Sequence, residues 1–235
     1  DRVLREIETL PGRHLYFLDD HLLGAPRFAG KLFDGLKGMN RVFQGAATVD
    51  SILRGDLIER AARAGLRSVF VGFETLNPQG LLDSNKKHNL TEMYDRAIKR
   101  LDSLGIMING SFVFGLDTDT PDVFDRTVDW AVKRGIATAT FHVLTPYPGT
   151  ALFEKLEQEG RITTRDWDLY DTRHVVFKTK GMTARELAQG YEKAYRRFYN
   201  WSSITRASLA HRRFTGQIRH LLYTAGWKKA EAFWN

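Results

Sequence analysis

Residues 58–73, IERAARAGLRSVFVGF, hold the pattern that decides the fold. An amphipathic helical run ends at Gly65, and a short apolar run rich in valine and phenylalanine follows at once. A glycine just past a helix supplies a left-handed cap and lets the chain turn directly into a strand. The same succession recurs in LFDGLKGMNRVFQG (32–45), AIKRLDSLGIMINGSFVFG (97–115) and TVDWAVKRGIATATFHVL (127–144), punctuated by Gly38, Gly105 and Gly135. The four glycines are 27, 40 and 30 residues apart, spacings that match βα units.

The runs after each glycine read as apolar throughout rather than alternating, as expected of parallel strands covered on both faces. An earlier run, HLYFLDD, adds one more. Strands are predicted near 14–19, 41–47, 67–73, 106–114 and 137–144, and helices near 27–37, 56–64, 91–104, 121–134 and 150–159. Thr120 before Pro121 reads as an N-cap and first helical residue, and Thr183 with Glu186 as a capping box. Strand then helix, repeated five times, gives a barrel or a doubly wound sheet. After Gly160 the aromatic and polar stretch RITTRDWDLYDTRHVVFKT has no helical period and is expected to cross the barrel as a loop or edge strand. Two or three helices follow from Thr183, which divides the chain into a barrel over 1–160 and a C-terminal extension over 161–235.

With 235 residues, 43% of them apolar and 27% charged, the chain can bury the core of one α/β domain with a small helical appendage. No apolar run approaches the length of a membrane span, and the opening DRVLREIETL is a charged helical pattern, so a cytoplasmic location is expected. There are 0 cysteines, which excludes disulfides, thiolate metal sites and cysteine nucleophiles within the chain. Residues 1–195 carry 27 charges of each sign; eight Lys and Arg against one Glu beyond Tyr195 account for the net +7.

In parallel β/α folds the carboxyl ends of the strands carry the site. These ends are polar: Asp19-Asp20, Gln44 and Thr48, Glu74-Thr75, Asp117-Thr118, and Thr145 to Thr150. Aspartates there commonly cap or turn into the next helix. Glu74 differs, because glutamate is a poor cap and directly follows VFVGF; an acid there implies a ligand with amines or hydroxyls. Gly110 and Gly115 bracket a strand without matching a nucleotide loop, and Gly110 is expected to admit close backbone approach or a bulge. Phe112 and Phe114 are core residues by default. His21, His142 and His174 lack metal-ligand spacing and are expected to be structural or surface residues. No metal site, nucleophile elbow or Ser-His-Asp order is present, and no catalytic residue is assigned.

Five runs carry a family resemblance: FLDDHL (17–22), VFQGAATVD (42–50), VGFETLNPQGLLDSNKKHN (71–89), GSFVFGLDTDTPDVFDRTVDWA (110–131) and LTPYPGTALFEKLEQEGRI (144–162), the last followed by DWDLYD and VVF. Together they resemble a radical S-adenosylmethionine enzyme of the cobalamin-dependent subgroup with its C-terminal extension. The resemblance implies a partial (βα)6 barrel whose first strand is followed by a three-cysteine loop holding a 4Fe-4S cluster. In this family the cluster's open iron binds S-adenosylmethionine by its amine and carboxylate, and reduction releases a deoxyadenosyl radical. An N-terminal domain holds the cobalamin.

On this resemblance the chain starts at the helix after that loop. It is expected to be the C-terminal part of a longer protein and inactive alone, a natural cluster-free barrel serving as a binding module being the alternative. The resemblance places Asp19, Asp20, Gln44 and Thr48 toward the methionine amine. It places Glu74 and Thr75 at the ribose or methionine carboxylate, Ser111 and Phe112 beside the adenine with Asp117 at that strand's tip, and Tyr147 near the adenine edge. Lys86 and Lys87 take the place of a basic residue that reaches the carboxylate. Methyl transfer to an unactivated carbon of a small molecule or lipid is the activity implied first, and a cyclisation or rearrangement second.

The basic tail, ITRASLAHRRFTGQIRHLLYTAGWKKAEAFW (204–234), interleaves cations with Leu, Phe and Trp. It reads either as helices packed on the barrel with a solvated face or as a peripheral contact with an anionic membrane. Nucleic acid ranks lower, because no RNA-binding module accompanies the charge.

Overall fold

The structure, a computed structural model, describes residues 2–77 and 90–230. A parallel sheet runs in sequential order through β1 (His14–Tyr16), β2 (Val42–Ala47), β3 (Leu66–Glu74), β4 (Met107–Phe114) and β5 (Thr138–Val143). The crossovers are α2 (Pro26–Leu36), α3 (Val49–Leu53) with α4 (Leu57–Ala64), α5 (Leu90–Ser103) and α6 (Val123–Lys133). A doubly wound sheet reverses its strand order midway, whereas this one adds every strand on the same side. It is a half-barrel with its helices outside. Helix α1 (Arg2–Thr9) precedes the sheet, and α7 (Ala151–Gln158), α8 (Ala184–Phe198), α9 (Trp201–Leu209) and α10 (Phe214–Ala230) follow it.

The four punctuating glycines all have positive φ. Gly65 shows why: its φ is 120°, and a Cβ there would stand 2.1 Å from the Arg41 carbonyl oxygen, so β3 enters the sheet only through a residue without a side chain. Thr183 and Glu186 form the capping box on α8. Two local expectations are corrected. Helix α6 begins at Val123 rather than Pro121, since the Thr120 hydroxyl donates to the Asp122 carboxylate and Thr120 to Asp122 make a turn instead. The segment after Thr48 coils into the short α3, because Thr48 Oγ1 accepts from the Ser51 amide.

The strands also alternate, contrary to the all-apolar reading. One set of side chains faces the helices: Phe43 stacks on Phe33 of α2, Phe73 meets Tyr94 of α5 and Trp130 of α6, and Phe114 meets Phe124 of α6. Phe112 and Phe141 join this layer, with ring centroids 5.8 Å apart. Each fully buried phenylalanine contributes about 2–3 kcal/mol. The alternate positions form a polar concave face carrying Gln44, Ser68, Asn109, Ser111, Thr138, Thr140 and His142. Gly110 lies on the helix side, where a Cβ would come within 3.0 Å of Phe112 and 3.2 Å of Ile136; it makes room for packing, not for a ligand.

The C-terminal helices finish the barrel at two places. Strand β5 is an edge, and α8 supplies hydroxyls to its unpaired backbone. Tyr199 Oη accepts from the Ala139 amide at 3.1 Å and donates to the Ala139 carbonyl at 2.9 Å. Tyr195 Oη does the same for Phe141 at 3.0 and 3.2 Å. At the amino-terminal end of the strands, α10 closes the barrel: Tyr223 Oη meets Ser68 Oγ at 3.2 Å and Asn109 Oδ1 at 3.3 Å, while Thr224 Oγ1 donates to the Ala137 carbonyl at 2.8 Å. Among the described residues, the carboxyl ends of the strands are left open by these helices.

Candidate ligand-binding mouth

Glu74 closes β3 with φ 60°, a left-handed conformation that a residue with a side chain adopts only under constraint. The β3–β4 register shifts between Gly72 and Glu74. Its side chain folds back over Gly72, since a Cβ on Gly72 would lie 2.4 Å from Glu74 Oε1. Among the described residues no donor reaches this carboxylate; the residue is exposed at the strand tip, and the protein packed around its base desolvates it enough to raise its pKa. Backbone strain beneath a carboxylate with no protein partner makes this strand tip the candidate ligand position.

Two hydroxyls lie beside it on the concave face. Ser111 pairs in register with Gly72 on one side and Thr140 on the other. Ser111 is 5% exposed and has no hydrogen-bond partner among the described residues; Thr140 Oγ1 is buried without one. An unmet buried hydroxyl costs about 1–3 kcal/mol, so Thr140 awaits a polar partner, and Ser111 beside it is free to offer its hydroxyl to the same one. Gln44 is half-buried on the same face, and Asp20 is exposed in the loop after β1; neither side chain forms a hydrogen bond among the described residues. Tyr147 is 48% exposed between its two prolines.

The remaining sequence candidates have partners. Asp19 Oδ1 accepts from the His21 amide at 3.0 Å, the turn role. Thr48 caps α3 and lies 3.4 Å from His21 Nε2. Thr75 is buried, with Oγ1 accepting from the Asn77 amide at 3.0 Å. Phe112 is corrected: it is 0% exposed in the layer under the helices, so its side chain does not reach the mouth. Lys86 and Lys87 lie outside the described residues. Residues that the sequence reading passed over are Thr140 and Asp119; His142, expected to be structural or on the surface, lies on the concave face. Asp119 Oδ2 accepts from the Gly115 and Leu116 amides at 3.0 Å each and fixes the loop after β4, its pKa raised by burial. His142 Nδ1 is 3.2 Å from Thr172 Oγ1, and burial lowers its pKa. The period-two polarity of Thr138, Thr140 and His142 was the available signal.

Asp117 is held structurally. The buried Arg161 guanidinium grips it, donates to Glu159 Oε2 at 2.8 Å and to the Lys178 carbonyl at 2.7 Å, and Lys180 stands 3.3 Å from Asp117. This binds the crossing segment to the loop after β4. Arg161→Met is expected to destabilise the fold by about 2 kcal/mol, below the value for a fully buried pair because Asp117 is partly exposed. The hydrogen bond from Arg161 lowers the Asp117 pKa despite desolvation. The resulting stabilisation is therefore present above the ordinary aspartate range and fades as pH falls through the lowered value. Urea melts at neutral pH and near pH 3 check this: the variant's deficit shrinks in acid, and an undiminished deficit contradicts the ion-pair account.

A sequentially ordered half-barrel with a polar concave face and a strained glutamate at one strand tip defines the open half of a β/α barrel with a candidate ligand-binding mouth. Residues 150–229 match the family model described as a domain of unknown function, DUF4070. The chain is 32% identical over 188 residues to bacteriochlorophyllide d C-12(1)-methyltransferase of Chlorobaculum tepidum, covering 80% of this chain and 41% of that protein. It is 28% identical over 158 residues to hopanoid C-2 methylase of Rhodopseudomonas palustris, covering 65% and 30%. To the anaerobic magnesium-protoporphyrin IX monomethyl ester cyclase of Cereibacter sphaeroides it is 29% identical over 144 residues, covering 61% and 23%. The fold matches the radical S-adenosylmethionine methyltransferase TsrM of Kitasatospora setae, solved with cobalamin and a 4Fe-4S cluster, at a TM-score of 0.57 and 18% identity over 70% of this chain and 32% of that one. The homologues of this chain are radical S-adenosylmethionine methyltransferases and cyclases. It spans about two-fifths of the length of the bacteriochlorophyllide methyltransferases it matches.

The donor set bears on the cofactors. With 0 cysteines these residues offer no thiolate and do not fit a four-iron cluster. The concave face fits S-adenosylmethionine better: a carboxylate, the Ser111 and Thr140 hydroxyls and an amide suit a ligand bearing an ammonium and ribose hydroxyls.

Proposed function

We propose that this chain forms the S-adenosylmethionine-facing wall of a radical enzyme whose whole protein transfers a methyl group to an unactivated carbon of a small apolar molecule. The unsatisfied Glu74 carboxylate, folded over Gly72 beside Ser111 and Thr140, carries this reading. In it Glu74 accepts from ribose hydroxyls, Asp20 and Gln44 orient the methionine amine, Ser111 meets the adenine and Tyr147 covers its edge. Asp19, Thr48, Thr75 and Asp117 act as positioning residues, holding the loops that present these groups. Residues 1–160 are the barrel of this proposal and 161–235 the extension that closes it. The cluster and cobalamin are held by residues other than these. The methyltransferase names of its relatives favour methyl transfer, and the cyclase is the competing outcome.

Calorimetry on the 235-residue chain is expected to show weak or no S-adenosylmethionine binding; low-micromolar affinity overturns the assignment of the ligand's main anchor to other residues. In the full-length protein, Glu74→Gln is expected to weaken binding about tenfold, the loss of one charge-assisted hydrogen bond. Because the Glu74 pKa is raised, wild-type affinity falls on acidification before ordinary carboxylates titrate, and the variant lacks this dependence. Mass analysis of the product separates one added methyl from ring closure.

A further inference from the structure

Helix α10 closes the barrel with His220, Tyr223 and Thr224, yet large apolar side chains stand open on its outer surface among exposed cations. Phe214, Ile218 and Leu222 are 72%, 44% and 69% exposed at successive four-residue steps, one stripe along the helix. Beside that stripe two adjoining clefts of about 290 and 460 Å³ share Ser103, Gly105, Arg213 and Arg219. Their cations are Arg63, Arg67, Lys99, Arg212, Arg213 and Arg219. The acids nearby are already engaged. Asp102 accepts from His211 Nδ1 at 2.5 Å, and Arg100 grips Glu59 at 2.7 and 2.8 Å. His211 Nε2 in turn meets His220 Nδ1 at 2.9 Å, and burial pushes the His220 pKa down to about 3, so this chain of contacts fixes α10; Asp102 and Glu59 are the two carboxylates on the cleft walls, against six cations. Among the described residues, no carboxylate pairs with any of the six cations.

We infer that α10 docks on an anionic phospholipid bilayer, with headgroup phosphates entering the basic clefts and Phe214, Ile218 and Leu222 entering the acyl boundary. The charge complementarity selects this occupant. A soluble protein partner for an apolar helix face needs no unpaired cations along its edge, whereas an interfacial helix takes its affinity from both the buried stripe and the attraction of lipid charge. Among the described residues no helix is long and apolar enough to cross a membrane, so the contact is a surface one. The docking face lies at the amino-terminal end of the strands, opposite the mouth, and leaves the mouth unobstructed.

The test uses the full-length protein with phosphatidylcholine vesicles, with and without phosphatidylglycerol. Binding is expected only with phosphatidylglycerol and to weaken with salt as the surface charge is screened. Arg212→Gln with Arg213→Gln is expected to lower the partition coefficient about 30-fold, a factor of about five per cation. Phe214→Ser with Leu222→Ser, both exposed, is expected to lower it at least as much with unchanged circular dichroism. Equal binding to neutral vesicles, or unchanged binding by both variants, overturns the inference. So does a dimer in sedimentation equilibrium that Phe214→Ser dissociates, which assigns the stripe to a second copy. Release from vesicles by inorganic phosphate at constant ionic strength assigns the clefts to a free anion, and preferential binding to single-stranded RNA assigns them to nucleic acid; either overturns it.

Discussion

Tyr199→Phe is expected to destabilise the fold by about 2–3 kcal/mol, although it removes a single oxygen. That oxygen serves both the amide and the carbonyl of Ala139, a residue 0% exposed on the edge strand, and phenylalanine leaves both unsatisfied where water has no access. Tyr195→Phe removes the matching pair at Phe141, at a site only partly buried, and should cost less. The two rings stack with centroids 6.3 Å apart, so the double variant should not be additive. Urea midpoints measure the loss. Amide exchange locates it: Ala139 and Phe141 exchange slowly in the wild type despite being on an edge, and each becomes fast in its own variant. An unprotected bare edge is also prone to pairing between molecules, so increased light scattering on refolding is expected of the double variant.

The second large effect separates binding from stability. In Gly72→Ala the new methyl meets Glu74 Oε1, the far end of a flexible side chain, so the carboxylate swings off the concave face at little cost to the fold. S-adenosylmethionine affinity of the full-length protein is expected to fall roughly 10–100-fold, as for a lost charge-assisted hydrogen bond, with the melting temperature nearly unchanged. Affinity retained in Gly72→Ala means that Glu74 does not face the ligand. Affinity lost together with the melting temperature means that Gly72 matters through the strand instead.

The barrel was legible because its punctuation is local. A glycine cap and the run behind it depend on a few adjacent residues, and Gly38, Gly65, Gly105 and Gly135 each mark a real turn. The strained strand tip at Glu74 stood out for a similar reason: an acid directly after VFVGF has no local use. The ion pair of Asp117 was not legible, because its arginine lies 44 residues on, and nothing near either residue advertises the pair. Phe112 was a matter of parity. Its strand neighbours Ser111 and Val113 face inward, and a strict period-two reading of NGSFVF assigns the phenylalanine to the helix side. Tyrosines that seal a sheet edge have no sequence signature, since a helical tyrosine repeats with the same period whether its hydroxyl meets backbone or solvent.

The plug formed by α10 bears on the order of assembly. Ser68 and Tyr223 are 155 residues apart, and Asn109 waits for the same hydroxyl across 114. A ribosome-bound chain with all five strands exposed would still carry Ser68, Asn109 and Thr138 as an open polar floor. Contacts of such long sequence separation slow folding, since the loop they close must be ordered first. The rate-limiting step of refolding is therefore expected to be the seating of this helix, after a sheet has formed that is complete in its hydrogen bonds but hollow beneath.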